Sequence, residues 1–352
     1  MTARKHTLVR AAAAGALVLV IGGQAAAADP PPALRTKLEE VVRSGPPGLT
    51  AMILKDGELL YRLDVGTIAP DAQLPVASAS KWMTVALIMT LVDEGKLSLD
   101  EPIGRRLPDF QGEAAAITLR QILSYTAGQG DLTGFVDLSQ DSGVTLAESA
   151  RLIAARPLKD RPGSTFRYGA PSFQVAGALA EQVTGKSWAQ LFQERIAGPL
   201  GLKRTAWGYP TRPLDPAGVR NPNLQAGVWT TAADYTAFLH MLAGRGQANG
   251  VRILSEAAFD EMERIQTANA DMAYKPPGAT RLNAYALGNW CETVKADGAC
   301  GLVSSPGAFG TYPWLDRDSG LYGVFFLKDR LPNVAAGLVE ARSIVLEAES
   351  RP

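Results

Sequence analysis

Pro75-Val76-Ala77-Ser78-Ala79-Ser80-Lys81 opens an apolar run that continues to Leu91. Gly95 closes the run, so the pattern predicts a helix over about Ser78 to Glu94. On a helix, positions i and i+3 share a face, which brings the Lys81 amine within reach of the Ser78 hydroxyl. A helix N-terminus adds unpaired N–H donors and a positive field, both favourable to an alkoxide. The apolar neighbours from Trp82 to Leu91 would desolvate Lys81 and lower its pKa, which a lysine base needs near neutral pH. The same residues also fit a plainer arrangement, an exposed helix start with Ser78 as N-cap and Lys81 in solvent. A histidine-based triad has little to draw on, because the chain holds only His6 and His240. His240, within Phe238-Leu239-His240-Met241-Leu242, reads as a packing or surface histidine.

The chain has 352 residues, 46% apolar and 20% charged, which is enough for one large core. Its 35 basic and 35 acidic residues cancel, so electrostatic capture of nucleic acid or an anionic membrane is not expected. A small molecule is the expected partner. Residues 1–28 read as an export signal: Arg4, Lys5 and Arg10 precede an apolar core from Ala11 to Ile21 and a small-residue zone from Ala25 to Ala28. That run is short for a membrane span, and a retained amphipathic anchor is the alternative. Removing the segment leaves 32 basic against 35 acidic residues, and a periplasmic or secreted location follows. In an oxidising compartment Cys291 and Cys300 are expected to pair across a turn at Asp297-Gly298. So short a loop is stabilised by roughly 2.5–3 kcal/mol. Neither a suitable histidine nor a third cysteine completes a zinc set, and no metal site is expected.

Periodicity predicts a helix at Leu34–Val42, then strands at Leu49–Leu54 and Leu59–Val65 joined by the hairpin dipeptide Asp56-Gly57. The middle, about 100–260, carries helical patterns at Thr118–Tyr125, Thr145–Ala155, Phe173–Thr184, Trp188–Ile196 and Ala232–Ala243, the last with a capping box at Thr231 and Asp234. Strands are predicted at Tyr285–Thr293, Gly307–Leu315 and Gly320–Leu327, before a helix at Asn333–Leu346. The segment Thr267–Leu282 reads as a surface loop. Strands at both ends (about 48–66 and 284–328) around a helical middle predict an α+β fold, one antiparallel sheet built from both termini with a helical region inserted. A single domain over 29–352 is expected.

Several ordered segments resemble the serine β-lactamase-related hydrolases, a superfamily that includes class C β-lactamases, D-alanyl-D-alanine carboxypeptidases and family VIII carboxylesterases. Pro75 to Lys81 is similar to the family's nucleophile segment, and Glu94-Gly95-Lys96-Leu97-Ser98-Leu99-Asp100-Glu101-Pro102-Ile103 to the stretch that follows it. Thr118 to Gly128 resembles the segment that usually ends His-Thr-Ser-Gly, with Tyr125 and Ala127 as departures. Pro162-Gly163-Ser164-Thr165-Phe166-Arg167-Tyr168 resembles the approach to the Tyr-x-Asn motif. The similarity runs from about Leu34 to Leu346 and implies a β-lactamase/transpeptidase-like fold. It implies Ser78, Lys81 and Tyr168 as the catalytic group, with Lys81 amine or Tyr168 phenolate as the base. The oxyanion would be held by the N–H groups of Ser78 and Ala308, and no cofactor is implied.

Two departures bear on the substrate. Tyr-x-Asn reads Tyr168-Gly169-Ala170, without the amide. The third motif, Lys-Thr-Gly in β-lactamases, reads Ser305-Pro306-Gly307, without the cation. A charge-assisted hydrogen bond to a substrate carboxylate is worth about 1.5–3 kcal/mol, so its loss tilts the expectation toward a small neutral ester or amide. Tyr125, Ala170, Ser305 and Gly307 are the implied substrate-binding positions, and Trp229, just before a helix start, could border the same pocket. The rival functions are a β-lactamase or D-Ala-D-Ala carboxypeptidase, and a ligand-binding protein on a decayed enzyme scaffold.

Overall fold

The computed structural model describes residues 28–130 and 138–350. The expected export segment lies outside them except for Ala28. A seven-stranded antiparallel sheet runs, in spatial order, Ala284–Tyr285, Trp290–Val294, Cys300–Ser304, Tyr312–Asp316, Leu321–Leu327, Gly48–Lys55, Glu58–Gly66. The N-terminal hairpin is thus stitched onto the last C-terminal strand, Leu49 opposite Leu327 and Lys55 opposite Leu321. Its tight turn works because Asp56 and Gly57 both take positive φ, 50° and 93°, the backbone twist that suits a two-residue hairpin.

Each face of the sheet is covered. Helices Pro32–Arg43 and Leu331–Glu349 close one face, with Leu34, Leu38 and Val41 meeting Leu338, Ala341 and Val345 over Leu49, Phe325 and Leu327. Each fully buried aliphatic side chain contributes roughly 1.5–3 kcal/mol, so this layer needs both chain ends. The other face carries the larger core and the helical region. At its centre lies helix Ser80–Asp93, whose residues from Ser80 to Leu91 are all buried. It is apolar all round because it is enclosed on all sides. No helix among the described residues is long and apolar enough to cross a membrane.

Several expectations need correction. The helix does not begin at Ser78: residues Ala77–Ala79 form a 3-10 turn and the α-helix starts at Ser80. The strand expected from Gly307 starts only at Tyr312, because Gly307 to Gly310 close a turn, Gly310 donating to the Gly307 carbonyl. The strand expected over Tyr285–Thr293 breaks at Gly288, and Cys300–Ser304 forms a strand not foreseen. The region 100–260 is not wholly helical; short strands Thr165–Arg167, Ala206–Trp207 and Val228–Thr230 lie within it. The capping box at Thr231 is half formed: Thr231 accepts from the Asp234 N–H, but the Asp234 carboxylate turns to the Arg204 N–H and Thr205 hydroxyl instead. Inside the expected loop Thr267–Leu282, Asp271–Tyr274 pairs in parallel with Thr165–Arg167. Cys291 and Cys300 are joined, their Cα atoms 5.5 Å apart.

One buried ion pair ties the sheet to the C-terminal helix. Arg342 donates to both carboxylate oxygens of Glu292, at 3.0 and 2.8 Å, and the Tyr312 hydroxyl donates at 2.7 Å. Burial alone would push the Glu292 carboxyl up, but Arg342 and the hydroxyl donors bring it down to about 2. The sign follows: the pair stabilises fully above the unfolded carboxyl value near 4.5, and its contribution is lost as pH falls toward 2. Arg281 also approaches the Glu292 carboxylate, at 3.5 Å and from a more exposed position, so removing Arg342 leaves the buried charge with only this weaker partner, at a cost of up to about 3–5 kcal/mol. Arg342→Met should therefore lower the urea-unfolding free energy by that amount at pH 7 and by clearly less at pH 3. A cost under about 1 kcal/mol at pH 7 would contradict this.

Candidate active site

Ser78 is presented by a turn with several independent fastenings. Ala77, just before it, takes φ 45°, a left-handed conformation for a residue with a Cβ, which costs about 1–3 kcal/mol and persists only when surroundings impose it. They do so here. The Val76 N–H donates to the Val228 carbonyl at 3.0 Å, and the Ala79 N–H to the Val76 carbonyl at 3.1 Å. The Ser80 hydroxyl donates to the Ala77 carbonyl at 2.6 Å and accepts from the Val228 N–H at 2.9 Å. Ser78 is held in place by its neighbours.

Lys81 Nζ lies 2.9 Å from Ser78 Oγ and donates to the Gln225 carbonyl at 2.9 Å. Its side chain is buried and forms no ion pair among the described residues. The Tyr168 ring centroid is 4.7 Å from Nζ and the Tyr125 centroid 5.9 Å. A ring face favours the ammonium by about 0.5–2 kcal/mol, or at most roughly 1.5 pKa units. Full burial of an unpaired lysine lowers its pKa by as much as about 3–5 units, and burial wins: the Lys81 amine sits well below 10.5.

Tyr168 follows strand Thr165–Arg167, and its N–H donates to the Tyr274 carbonyl at 3.1 Å. The unforeseen strand Asp271–Tyr274 thus fixes its backbone. Its ring stacks on Trp290, with centroids 5.7 Å apart and planes 20° apart. Burial raises the phenol above its ordinary value, against a smaller lowering by the Ser78 hydroxyl. Tyr125 lies 4.9 Å from the Tyr168 ring, also flanked by Phe173 and Tyr285. It has φ 58° and donates its hydroxyl to Gln225 Oε1 at 2.9 Å.

The turn at Ser305 to Gly310 completes the cluster. A Cβ on Gly307 would lie 2.1 Å from the Val76 carbonyl oxygen, so only glycine lets this turn close on the Ser78 segment. Among the described residues, neither the Ser78 nor the Ala308 N–H has a backbone acceptor. The two N–H groups implied as the oxyanion hole are therefore unspent, on segments packed together. Ser305 is buried, its hydroxyl turned onto the carbonyls of Ser78 and Gly288 at 3.4 and 3.3 Å. Ala170 is buried and brings only a methyl group. Trp229 is half-buried, pairs with Pro75 across a short sheet, and donates its indole N–H to the Tyr209 carbonyl at 3.1 Å. The structure thus brings Ser78, Lys81, Tyr168 and Tyr125 into contact and sets Ser305 and the Gly307 turn beside them.

Sequence reasoning missed Gln225, Tyr285 and Trp290. The aromatic pair falls on the broken strand at Gly288, and Gln225 lies in Asn221-Pro222-Asn223-Leu224-Gln225, which has no periodic signal. The His240 imidazole lies away from the cluster, with Nδ1 2.8 Å from the Tyr322 hydroxyl. It lines an 880 Å³ cavity with Arg245, Arg317 and Cys300. That cavity opens at the Cys300 end of strand Cys300–Ser304, the opposite end from Ser305. No group of three potential metal ligands occurs among the described residues.

Comparison with known proteins places these contacts in context. A candidate beta-lactamase from Bacteroides dorei DSM 17855 is similar in structure, with TM-score 0.80 and 31% identity over 91% of this chain and 98% of that one. Protein Rv1367c of Mycobacterium tuberculosis is 27% identical over 328 residues, 79% of this chain and 80% of that one. Esterase EstB of Burkholderia gladioli is 30% identical over 180 residues, 44% of this chain and 46% of the esterase. The beta-lactamase family model matches residues 34–346, and the chain belongs to that family of beta-lactamase-fold serine hydrolases.

Proposed function

We propose that the chain is an exported hydrolase of small neutral esters, working through an acyl-enzyme on Ser78. The observation that carries this is the 2.9 Å approach of an uncharge-paired, buried Lys81 amine to the Ser78 hydroxyl. Depressed by burial, the amine can take the Ser78 proton as Oγ attacks the substrate carbonyl. The N–H groups of Ser78 and Ala308 receive the negative charge that develops on the carbonyl oxygen. Tyr168 is held as a neutral phenol, which suits it to passing a proton to the departing alkoxide better than to acting as the resting base. Water then attacks the acyl carbonyl and releases the acid and Ser78.

The preference for neutral substrates rests on Ser305 and Ala170. With the Ser305 hydroxyl spent on two carbonyls and no cation paired into the cluster, a substrate carboxylate would be desolvated without compensation. That favours an ester over a β-lactam or a D-Ala-D-Ala terminus. The partial similarity to an esterase supports the same choice. The disulfide at Cys291 and Cys300 supports export to a periplasmic or extracellular setting.

Ser78→Ala should abolish both fluorophosphonate labelling and turnover of short-chain nitrophenyl esters, whereas retention of either by the folded variant removes Ser78 as nucleophile. The wild-type acylation rate should rise with pH as Lys81 loses its proton and level off well below pH 10.5. Lys81→Arg, which holds its proton throughout, should give no acyl-enzyme burst at any pH, and a burst close to that of wild type would rule Lys81 out as base. Gly307→Ala should slow acylation by about 10²-fold or more through displacement of the Ala308 donor. An unchanged rate would place the oxyanion elsewhere.

A further inference from the structure

We propose that Gln225 is a positioning residue that selects which of the two tyrosines beside Lys81 serves proton transfer, by engaging the Tyr125 phenol and leaving that of Tyr168 for Ser78. The proposal rests on the Ser78–Lys81 reading above. Two phenols share one aromatic cage, their ring centroids 4.9 Å apart and both within 6 Å of Lys81 Nζ. By position alone either could relay a proton. They differ in what their hydroxyls meet. Tyr125 donates its only proton to Gln225 Oε1 at 2.9 Å, in a site where Tyr125 and Gln225 are both buried. A buried hydroxyl gives up such a partner only at the cost of leaving an amide oxygen unpaired.

Gln225 is itself fastened through side chain and main chain. Its carbonyl accepts from Lys81 Nζ and its N–H donates to Asn223 Oδ1 at 3.2 Å. The preceding Leu224 bridges two helices: its carbonyl accepts from Thr84, one turn beyond Lys81, and its N–H donates to Gln174 Oε1 at 2.9 Å. The main chain of Gln225 thus holds the amine while its side chain holds the competing phenol. Its neutrality matters as much as its position. The groups facing Lys81 are the Ser78 hydroxyl, the Tyr125 and Tyr168 rings and the Gln225 carbonyl, none of them charged. Glutamate at 225 would accept the Tyr125 hydrogen bond equally well while adding a negative charge that favours the ammonium form of Lys81.

The test measures acylation against pH, as the burst with nitrophenyl butyrate for the acid limb and as acyl-enzyme mass with ethyl butyrate, whose alkoxide must be protonated to leave, for the tyrosine comparison. It uses the full-length protein, Gln225→Glu, Gln225→Leu, Tyr168→Phe and Tyr168→Phe/Gln225→Leu, each with its melting temperature. Gln225→Glu should move the acid limb upward by about one pH unit. Gln225→Leu frees the Tyr125 phenol, so the double variant should acylate roughly tenfold faster than Tyr168→Phe alone, part of the 10²–10⁴-fold that a placed acid-base group supplies. A Gln225→Glu limb coincident with wild type, or a folded double variant no faster than Tyr168→Phe, overturns the proposal. Should Gln225→Leu fail to fold, Gln225→Met and Tyr168→Phe/Gln225→Met, in which the side chain keeps its length but offers Tyr125 no amide oxygen, take its place with the same expected and contrary results. A wild-type protein with no burst sinks the Ser78 reading and Gln225 with it, whereas a normal burst with unresponsive variants sinks Gln225 only.

Discussion

Burying an amine without a counter-charge is costly, and the protein does so at Lys81, at the centre of its largest core. A lysine in water keeps its proton far above neutral pH; one enclosed by Tyr125, Tyr168 and an apolar helix gains little from the rings and loses most of its hydration. The charged form is therefore the unfavourable one, and in the proposed mechanism the adjacent Ser78 hydroxyl has an acceptor for its proton. A nearby carboxylate would restore the ammonium and remove this advantage. The neutrality of the surroundings, Gln225 included, is as much part of the site as the lysine itself.

The scaffold exists to keep that enclosure in register. Ser78 stands on a strained turn that is pinned from the Val228 strand on one side and from the Gly307 turn on the other. Helix Ser80–Asp93 is buried along nearly its whole length, so Lys81 cannot move outward to solvent. The sheet that backs this helix is assembled from both ends of the chain. The terminal helices and the Glu292–Arg342 pair fix its far face. Trp290, on the same strand as Glu292, faces the other core and stacks on the ring of Tyr168.

Much of this was legible in the sequence because it is local. The Asp56-Gly57 hairpin, the apolar helix after Lys81, the spacing of Ser78 and Lys81 and the pairing of the two cysteines each depend on residues close together in the chain. The family resemblance added Tyr168 and the Ser305-Pro306-Gly307 motif, which no periodicity reveals. What stayed hidden depends on long-range contact. Gln225 reaches Lys81 across 144 residues, and strand Asp271–Tyr274 forms only because Thr165–Arg167 offers it an edge. Gly307 reads as a strand residue until the Val76 carbonyl is known to lie against it.

The most direct measurement is the titration of Lys81 itself, by NMR of protein carrying 13Cε- and 15Nζ-labelled lysine, with Lys81→Arg used to assign the signal. The account predicts that this one lysine loses its proton well below 10.5 and stays apart from the bulk lysine resonances at neutral pH. A Lys81 signal that titrates together with the surface lysines would contradict it.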